Sequence, residues 1–176
     1  MSFTTYYTAS SLDGFIADAE HSLSWLLSRK NDSDGPMGYN GFIAEIGALV
    51  MGANTYRWLL DNEPDTWPYD MPAWVITHRE FPPQPGRDIR FTSESVPAVH
   101  AQMAAAAGDK KLWVAGGGDL AGQFADHGLL DEIVVSFAPV TLGSGAPLLP
   151  RRLELTPVEV GLNGELTCAR YAVVRD

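Results

Sequence analysis

Short apolar runs of strand type alternate with helix-like segments along this chain, and this alternation restricts its fold more than any other feature. The runs 48–52, 73–77 and 112–115 are almost entirely apolar, as expected for strands that are buried on both faces. Segments with helical periodicity or helix-start signals separate these runs. Strands and helices in this alternation build a largely parallel sheet with helices on both faces. The sequence therefore predicts an α/β fold.

The other elements follow from the same periodicities. We predict further strands at 3–9, 89–92, 130–140, 158–162 and 166–174, and helices at 39–47, at 95–107, at 119–127 and from Asn54 onward. Asn54 is a residue type that commonly caps a helix. Asn163-Gly164 joins the last two strands and is typical of a type I′ hairpin. The predicted sheet thus ends in an antiparallel hairpin.

Composition is that of a globular protein. The chain has 176 residues, 45% of them hydrophobic, and we predict one domain over residues 1–176. No apolar run approaches the roughly 18–20 residues of a membrane span, and the first residues lack the features of a signal peptide, so we expect a cytoplasmic protein. Cys168 is the only cysteine, which excludes an intrachain disulfide and a multi-cysteine metal site, and no metal site is predicted.

The charge of the chain bears on its partners. A formal net charge of -10 repels nucleic-acid backbones, and the twelve Lys and Arg residues form no basic run. We therefore expect no nucleic-acid partner. A small anionic ligand remains compatible with this charge, because backbone amides and one or two local cations suffice to hold it.

The stretch LWVAGGGDLAGQF, residues 112–124, places three glycines between a predicted strand and a predicted helix. One glycine suffices for a turn, so three indicate that a ligand comes close to the backbone. The helix that follows offers free N–H groups to an anion, although Asp119 in its first turn competes for them. Gly52-Ala53-Asn54-Thr55 repeats the arrangement after an earlier strand. Two such helix starts can hold two phosphates of a dinucleotide; the alternative is that both are tight turns.

A third polar cluster follows the strand predicted at 73–77. Thr77, His78 and Arg79 can receive an additional phosphate, such as the 2′-phosphate of NADP. The alternative is that these are solvated charges in a surface loop. All three clusters lie at the carboxyl ends of predicted core strands, where open α/β sheets bind ligands.

The order of five segments resembles the dihydrofolate reductase fold, and more closely the reductase domain of riboflavin biosynthesis and its stand-alone relatives. The segments are TASSLDGFIA, LVMGANTYRWL, AWVITHR, LWVAGGGDLAGQF and LLDEIVVSFAPVTLGSGAPLL, and they extend from the first strand to about residue 149. The resemblance implies a mostly parallel central sheet, helices on both faces and NADPH as cofactor.

The resemblance also implies which residues contact this cofactor. The first strand and the loop after it flank the nicotinamide, the Met-Gly turn binds phosphate, the residues after the third buried strand receive the ribose 2′-phosphate, and the triple glycine lies against nicotinamide and pyrophosphate. The corresponding residues in this chain are Ala9, Ile16, Gly52, Asn54, Thr55, Thr77, His78, Arg79, Gly116, Gly117, Gly118, Asp119, Leu120 and Gln123.

One departure from the family patterns restricts the chemistry. Folate enzymes carry a carboxylate in the region that corresponds to residues 35–39, and this chain has none there; Asp34 and Glu45 are the nearest acids. Folate reduction is therefore disfavoured. Asp13 is the candidate catalytic residue, because a carboxylate near the nicotinamide can orient a substrate or relay a proton. The alternative for Asp13 is an ordinary turn aspartate beside Gly14.

These observations predict an NADPH-dependent reductase that transfers hydride to a small planar or carbonyl- or imine-bearing substrate. A riboflavin-pathway pyrimidine, as for 5-amino-6-(5-phosphoribosylamino)uracil reductase, is one candidate substrate, although the few cations argue against a phosphorylated molecule held by many of them. The alternatives are a dinucleotide-binding protein without catalysis, a dihydrofolate reductase, and a structural homodimer that binds no dinucleotide. We expect a homodimer in any case, with strands 158–174 as its candidate interface.

Overall fold

The computed structural model describes residues 2–175. The strands are β1 Thr4–Ser11, β2 Phe15–Ala17, β3 Ile46–Gly52, β4 Ala73–Ile76, β5 Ile89–Thr92, β6 Lys111–Gly116, β7 Glu132–Ala138, β8 Ala146–Pro147, β9 Leu155–Asn163 and β10 Leu166–Val173. The helices are α1 Ser24–Leu27, α2 Tyr39–Ala44, α3 Ala53–Asn62, α4 Val96–Ala107 and α5 Gly118–Asp126.

Eight strands form one sheet in the order β5-β4-β3-β6-β1-β7-β10-β9. All pairs from β5 to β7 are parallel, while β10 pairs antiparallel with both β7 and β9. Strands β2 and β8 form a small antiparallel pair of their own. The predicted parallel sheet with a C-terminal antiparallel hairpin is confirmed.

Helices cover both faces of this sheet, which explains why its central strands are apolar throughout. In β3, Val50 belongs to the core cluster that includes residues of α4 and α5, whereas the neighbouring Leu49 and Met51 pack in the cluster with Tyr56 of α3. Successive side chains of a strand point to opposite faces. Because both faces of β3 are buried, the strand shows no polar alternation.

Two local predictions differ from the structure. Gly52, and not Asn54, is the N-cap of α3, so Asn54 lies exposed in the first turn of the helix. The loop of the last hairpin is Gly164-Glu165, because Asn163 still pairs with Leu166. The buried Asn163 side chain instead accepts a hydrogen bond from the backbone N–H of Asp32 and donates to the Asp32 carbonyl. Asn163 thereby fixes a distant loop on the sheet.

Strands β1, β3, β4 and β6 run parallel, so their carboxyl ends lie at one edge of the sheet. Helices α3 and α5 begin directly after β3 and β6 at this edge. Within residues 2–175, no helix combines the length and the apolar composition needed to span a bilayer.

Candidate active site

A cavity of about 630 Å³ opens at the carboxyl ends of these strands. One part of the lining, which we call the helix wall, is formed by the starts of α3 and α5 together with Arg79 after β4. Another part, which we call the apolar wall, comes from β1, β2, the segment between β2 and α1, and α1 itself. The residues of the apolar wall are Thr8, Ile16, Ala17, His21, Leu23 and Leu26. The cavity therefore joins a surface rich in backbone amides to an aliphatic one.

Both helices of the helix wall begin without a side-chain cap. The N-cap residues are Gly52 for α3 and Gly117 for α5, and neither can accept a hydrogen bond through a side chain. Among the described helices, α1 and α2 also lack a side-chain cap, whereas Ser95 at the start of α4, outside this cavity, accepts a hydrogen bond from the backbone N–H of Ala98. The first N–H groups of an α-helix lack partners within the helix. Those of α3 and α5 are available to an anion in the cavity.

The three consecutive glycines differ in what their surroundings would allow at each position. Gly116 has a φ of +141°, which side-chain-bearing residues rarely adopt. A Cβ at Gly118 would overlap the carbonyl oxygens of Pro147 and Leu148, so this glycine permits close packing. At Gly117 the φ is -85°, and the nearest protein atom to an added Cβ is the Ile16 Cδ1 at 3.6 Å, an ordinary contact. Outside its chain neighbours, the surroundings of residue 117 therefore leave room for a Cβ.

The carboxylate of Asp119 is paired within the protein. Its Oδ1 lies 3.2 Å from Nη2 of Arg151, and its Oδ2 accepts a hydrogen bond from the Gln123 side chain at 2.9 Å. Arg151 also binds Asp126 at 3.0 Å. These contacts offset the negative charge in the first turn of α5, so Asp119 competes less for the helix dipole than an unpaired carboxylate would.

Arg79 is the part of the third polar cluster that reaches the cavity. Its Nη1 donates a hydrogen bond to Oδ1 of Asn54 at 3.2 Å, which joins the end of β4 to the first turn of α3. Thr77 accepts a hydrogen bond from the Arg79 backbone N–H, and His78 is exposed. Of the predicted cofactor-binding residues, Thr77 and His78 lie outside the described lining of the cavity, and the others contribute to it.

Asp13 makes the contacts of a residue that joins two loops. Its carboxylate accepts hydrogen bonds from the Ser11 hydroxyl at 2.6 Å and from the backbone N–H groups of Leu142 and Gly143 at 3.0 and 2.8 Å. These donors, Ser11 foremost, lower the pKa of Asp13 to about 2. Asp13 is exposed and is not one of the described residues that line the cavity. Asp13 thus joins the loop after β1 to the loop between β7 and β8, and its catalytic role stays a prediction.

The apolar wall was largely missed by sequence reasoning. Of its residues, only Ile16 is a predicted site residue. His21 is exposed, has a φ of +59° and contributes to the cavity. The loop that carries it is shaped by Asp18, whose Oδ1 accepts the backbone N–H groups of residues 20 and 22. This Asp turn is a local signal, but the position of the loop depends on the long-range β2–β8 pair.

The acids nearest to the folate-type position lie elsewhere. Asp34 and Glu45 line a second cavity of about 360 Å³ and are not among the described residues of the first. Asp34 accepts a hydrogen bond from the Asn40 side chain, and Glu45 pairs with Lys111 at 2.7 Å. Neither carboxylate is positioned to protonate a ligand in the main cavity.

Comparison with known proteins agrees with this geometry. The sequence profile of the RibD C-terminal domain matches residues 2–170. The chain is 32% identical over 146 residues to Uncharacterized protein YwjB of Bacillus subtilis (strain 168), an alignment that covers 82% of this chain and 81% of YwjB.

Solved structures show the same relationship. "Putative riboflavin biosynthesis protein" from Shewanella sp. PV-4 superposes with a TM-score of 0.84 and 30% identity over 99% of this chain and 100% of that chain. RibD of Acinetobacter baumannii shares the fold, with a TM-score of 0.70 and 15% identity over 99% of this chain and 58% of that chain. The chain thus belongs to the RibD C-terminal domain family, the reductase domain of riboflavin biosynthesis proteins, and has its dihydrofolate reductase-like fold.

Proposed function

We propose that this chain is an NADPH-dependent reductase that acts on a small planar or carbonyl- or imine-bearing substrate. One observation carries the proposal: two helices without side-chain caps begin at the same cavity, next to a glycine that the protein's own packing does not require. Free helix starts bind phosphate groups, and a backbone without a Cβ admits a flat ring. Membership of a reductase-domain family is consistent with this chemistry.

The residues that would hold the cofactor are distributed along the helix wall. The backbone amides at the starts of α3 and α5 would bind the pyrophosphate, and Arg79, oriented by Asn54, would pair with the 2′-phosphate. Ala9 and Ile16 would flank the nicotinamide. When bound, NADPH supplies a hydride to an electrophilic carbon.

The apolar wall would orient the substrate and exclude water from it. Its one imidazole belongs to His21. Asp119, the lining carboxylate, is already paired with Arg151. We therefore assign to His21 the transfer of a proton to the reduced substrate.

Calorimetric titration of the purified chain with NADPH, and in parallel with NADH, tests the proposal. We expect micromolar binding that favours NADPH, followed by NADPH oxidation when carbonyl or imine compounds are added. Tight binding without oxidation of NADPH by any acceptor would favour a dinucleotide-binding protein without catalysis. No binding at millimolar cofactor would contradict the proposal and favour the structural homodimer. Methotrexate binding would instead identify a folate reductase.

We also propose that residues 1–176 act as one domain and that two copies associate through β9. This edge strand exposes Val160 by 75% and Leu162 by 71%. The two residues are separated by one position, so they share a face. A surface of this kind on an edge strand is typical of an association site.

A further inference from the structure

We propose that the substrate of this reductase carries no phosphate and no other anionic group, and that it is an uncharged carbonyl or imine compound with aromatic or aliphatic substituents. The inference deepens the proposed function and rests on it. It follows from the composition of the apolar wall and from the partners of two arginines that follow lining residues in the sequence.

The apolar wall presents aliphatic side chains to a substrate that lies beside the nicotinamide. Ile16, Leu23 and Leu26 contribute aliphatic side chains, and Ala17 adds a methyl group. Thr8 supplies one hydroxyl, which donates a long hydrogen bond of 3.4 Å to the Ala9 carbonyl. Such a surface gains free energy by burying apolar substituents. One hydroxyl suffices to orient a single carbonyl or imine.

The two arginines that follow lining residues in the sequence, Arg29 after Leu26 and Arg151 after Pro150, already have protein partners. Arg29, which follows α1, donates through Nε to the Trp25 carbonyl at 3.1 Å and lies 3.9 Å from the Glu165 carboxylate. Arg151 binds both Asp119 and Asp126. Redirecting either guanidinium toward a substrate phosphate would leave at least one of these partners without its hydrogen bond.

Arg79 is the one Lys or Arg among the described residues that line the cavity, and it belongs to the helix wall. The phosphates proposed to bind there already bring several negative charges. A substrate phosphate would add about two more, without a counter-ion, in a chain whose formal net charge is -10. His21 can offset at most one of these charges. The site therefore selects against anionic substrates electrostatically as well as through its apolar surface.

Paired probes that differ only in a phosphate group test this inference. We would titrate 4-acetylphenol and 4-acetylphenyl phosphate into the full chain saturated with NADP⁺, using calorimetry so that the readout does not depend on turnover. The expected result is that the neutral ketone binds at least tenfold more tightly. Equal or tighter binding of the phosphate ester, or no binding of the neutral ketone at millimolar concentration, would overturn the inference. The preceding NADP⁺ titration tests the proposed function separately.

A charge introduced into the apolar wall provides the reciprocal test. Leu26→Lys places a cation in the lining, and we expect it to shift the preference toward the phosphate ester by at least tenfold. Leu27→Lys is the matched control, because Leu27 lies on the same helix, is 66% exposed and is not part of the described lining. An equal shift in both variants would show that the wall does not set the preference. Thermal unfolding would confirm that both variants are folded.

Discussion

Among single residues, Gly117 gives the most direct test of the cofactor site. We expect Gly117→Ala to weaken NADPH binding at least tenfold, about 1.4 kcal/mol, because its Cβ would occupy the space that the ring needs. The Cβ meets no protein atom closer than 3.6 Å, so the melting temperature should change little. Calorimetry and thermal unfolding measure the two effects.

Gly118→Ala is the control for this experiment, because its Cβ would collide with the carbonyl oxygens of Pro147 and Leu148. This variant should lose stability rather than cofactor affinity alone. Gly52→Ala provides a second cofactor-site variant, since the nearest atom to its added Cβ lies 3.9 Å away. Unchanged NADPH binding by folded Gly117→Ala and Gly52→Ala proteins would contradict the proposed site.

Arg79 should decide the choice between NADPH and NADH. We expect Arg79→Ala to weaken NADPH binding by about tenfold or more, since a hydrogen bond to a charged group contributes about 1.5–3 kcal/mol, and to leave NADH binding nearly unchanged. His78→Ala is the matched control, because His78 is the exposed neighbour outside the described lining. If Arg79→Ala weakened the binding of NADPH and NADH equally, Arg79 would not be the residue that binds the 2′-phosphate.

A substitution of His21 should lower turnover and leave the affinity for NADPH unchanged. We expect His21→Asn to lower kcat while the Kd for NADPH stays the same, because the amide cannot deliver a proton. Asparagine tolerates a positive φ, so the loop should keep its shape. An unchanged kcat in the folded variant would show that the proton comes from another source.

Asp13 should contribute to stability in a pH-dependent manner. Its pKa is lowered to about 2 in the folded chain by the Ser11 hydroxyl and by the N–H groups of Leu142 and Gly143. A carboxylate with a depressed pKa stabilises the fold above its unfolded pKa, about 4, and this contribution is lost as the pH falls from about 4 to 2. The free energies of unfolding of wild type and Asp13→Asn should therefore differ at pH 7 and converge near pH 2. A constant difference, or a defect in turnover alone, would argue for the catalytic alternative.

At the scale of elements, the sequence predicted strands better than helix starts. Strands such as β3, β4 and β6 were located within two residues at each end, because burial on both faces leaves a continuous apolar run. The start of α3 was misplaced because capping preference favoured Asn54, whereas the helix begins behind Gly52 and leaves its amides free. Local capping preference therefore gives the wrong start for α3, at a position where the proposed function needs free backbone N–H groups.

The helix wall could likewise be predicted from the sequence better than the apolar wall. The helix wall follows strands that the sequence reveals, so its glycines and Arg79 could be placed at one sheet edge before the structure was known. The apolar wall depends on how the segment 18–27 folds back through the β2–β8 pair, and no periodicity in that segment reports a contact more than a hundred residues away. Leu26 could not be assigned for this reason.

At the scale of the whole molecule, the apolar face of β9 predicts self-association. Val160 and Leu162 continue the sheet face on which Val135 and Phe137 pack against the core, but they remain exposed themselves. Two copies can bury this face around a twofold axis, with each copy contributing the same residues. A stable interface buries roughly 1,000 Å² or more, so the surroundings of β9 would have to participate.

Val160→Lys should therefore convert a dimer into a monomer, because burying an unpaired ammonium at the centre of the interface costs several kcal/mol. Sedimentation velocity at micromolar concentrations measures the change, and Leu27→Lys, an exposed leucine outside β9, is the control that should remain dimeric. A wild-type chain that sediments as a monomer would contradict the proposed association. A dimer that survives Val160→Lys would place the interface elsewhere. If NADPH binds equally well to dimer and monomer, each copy holds a complete cavity, as expected when one chain supplies both walls.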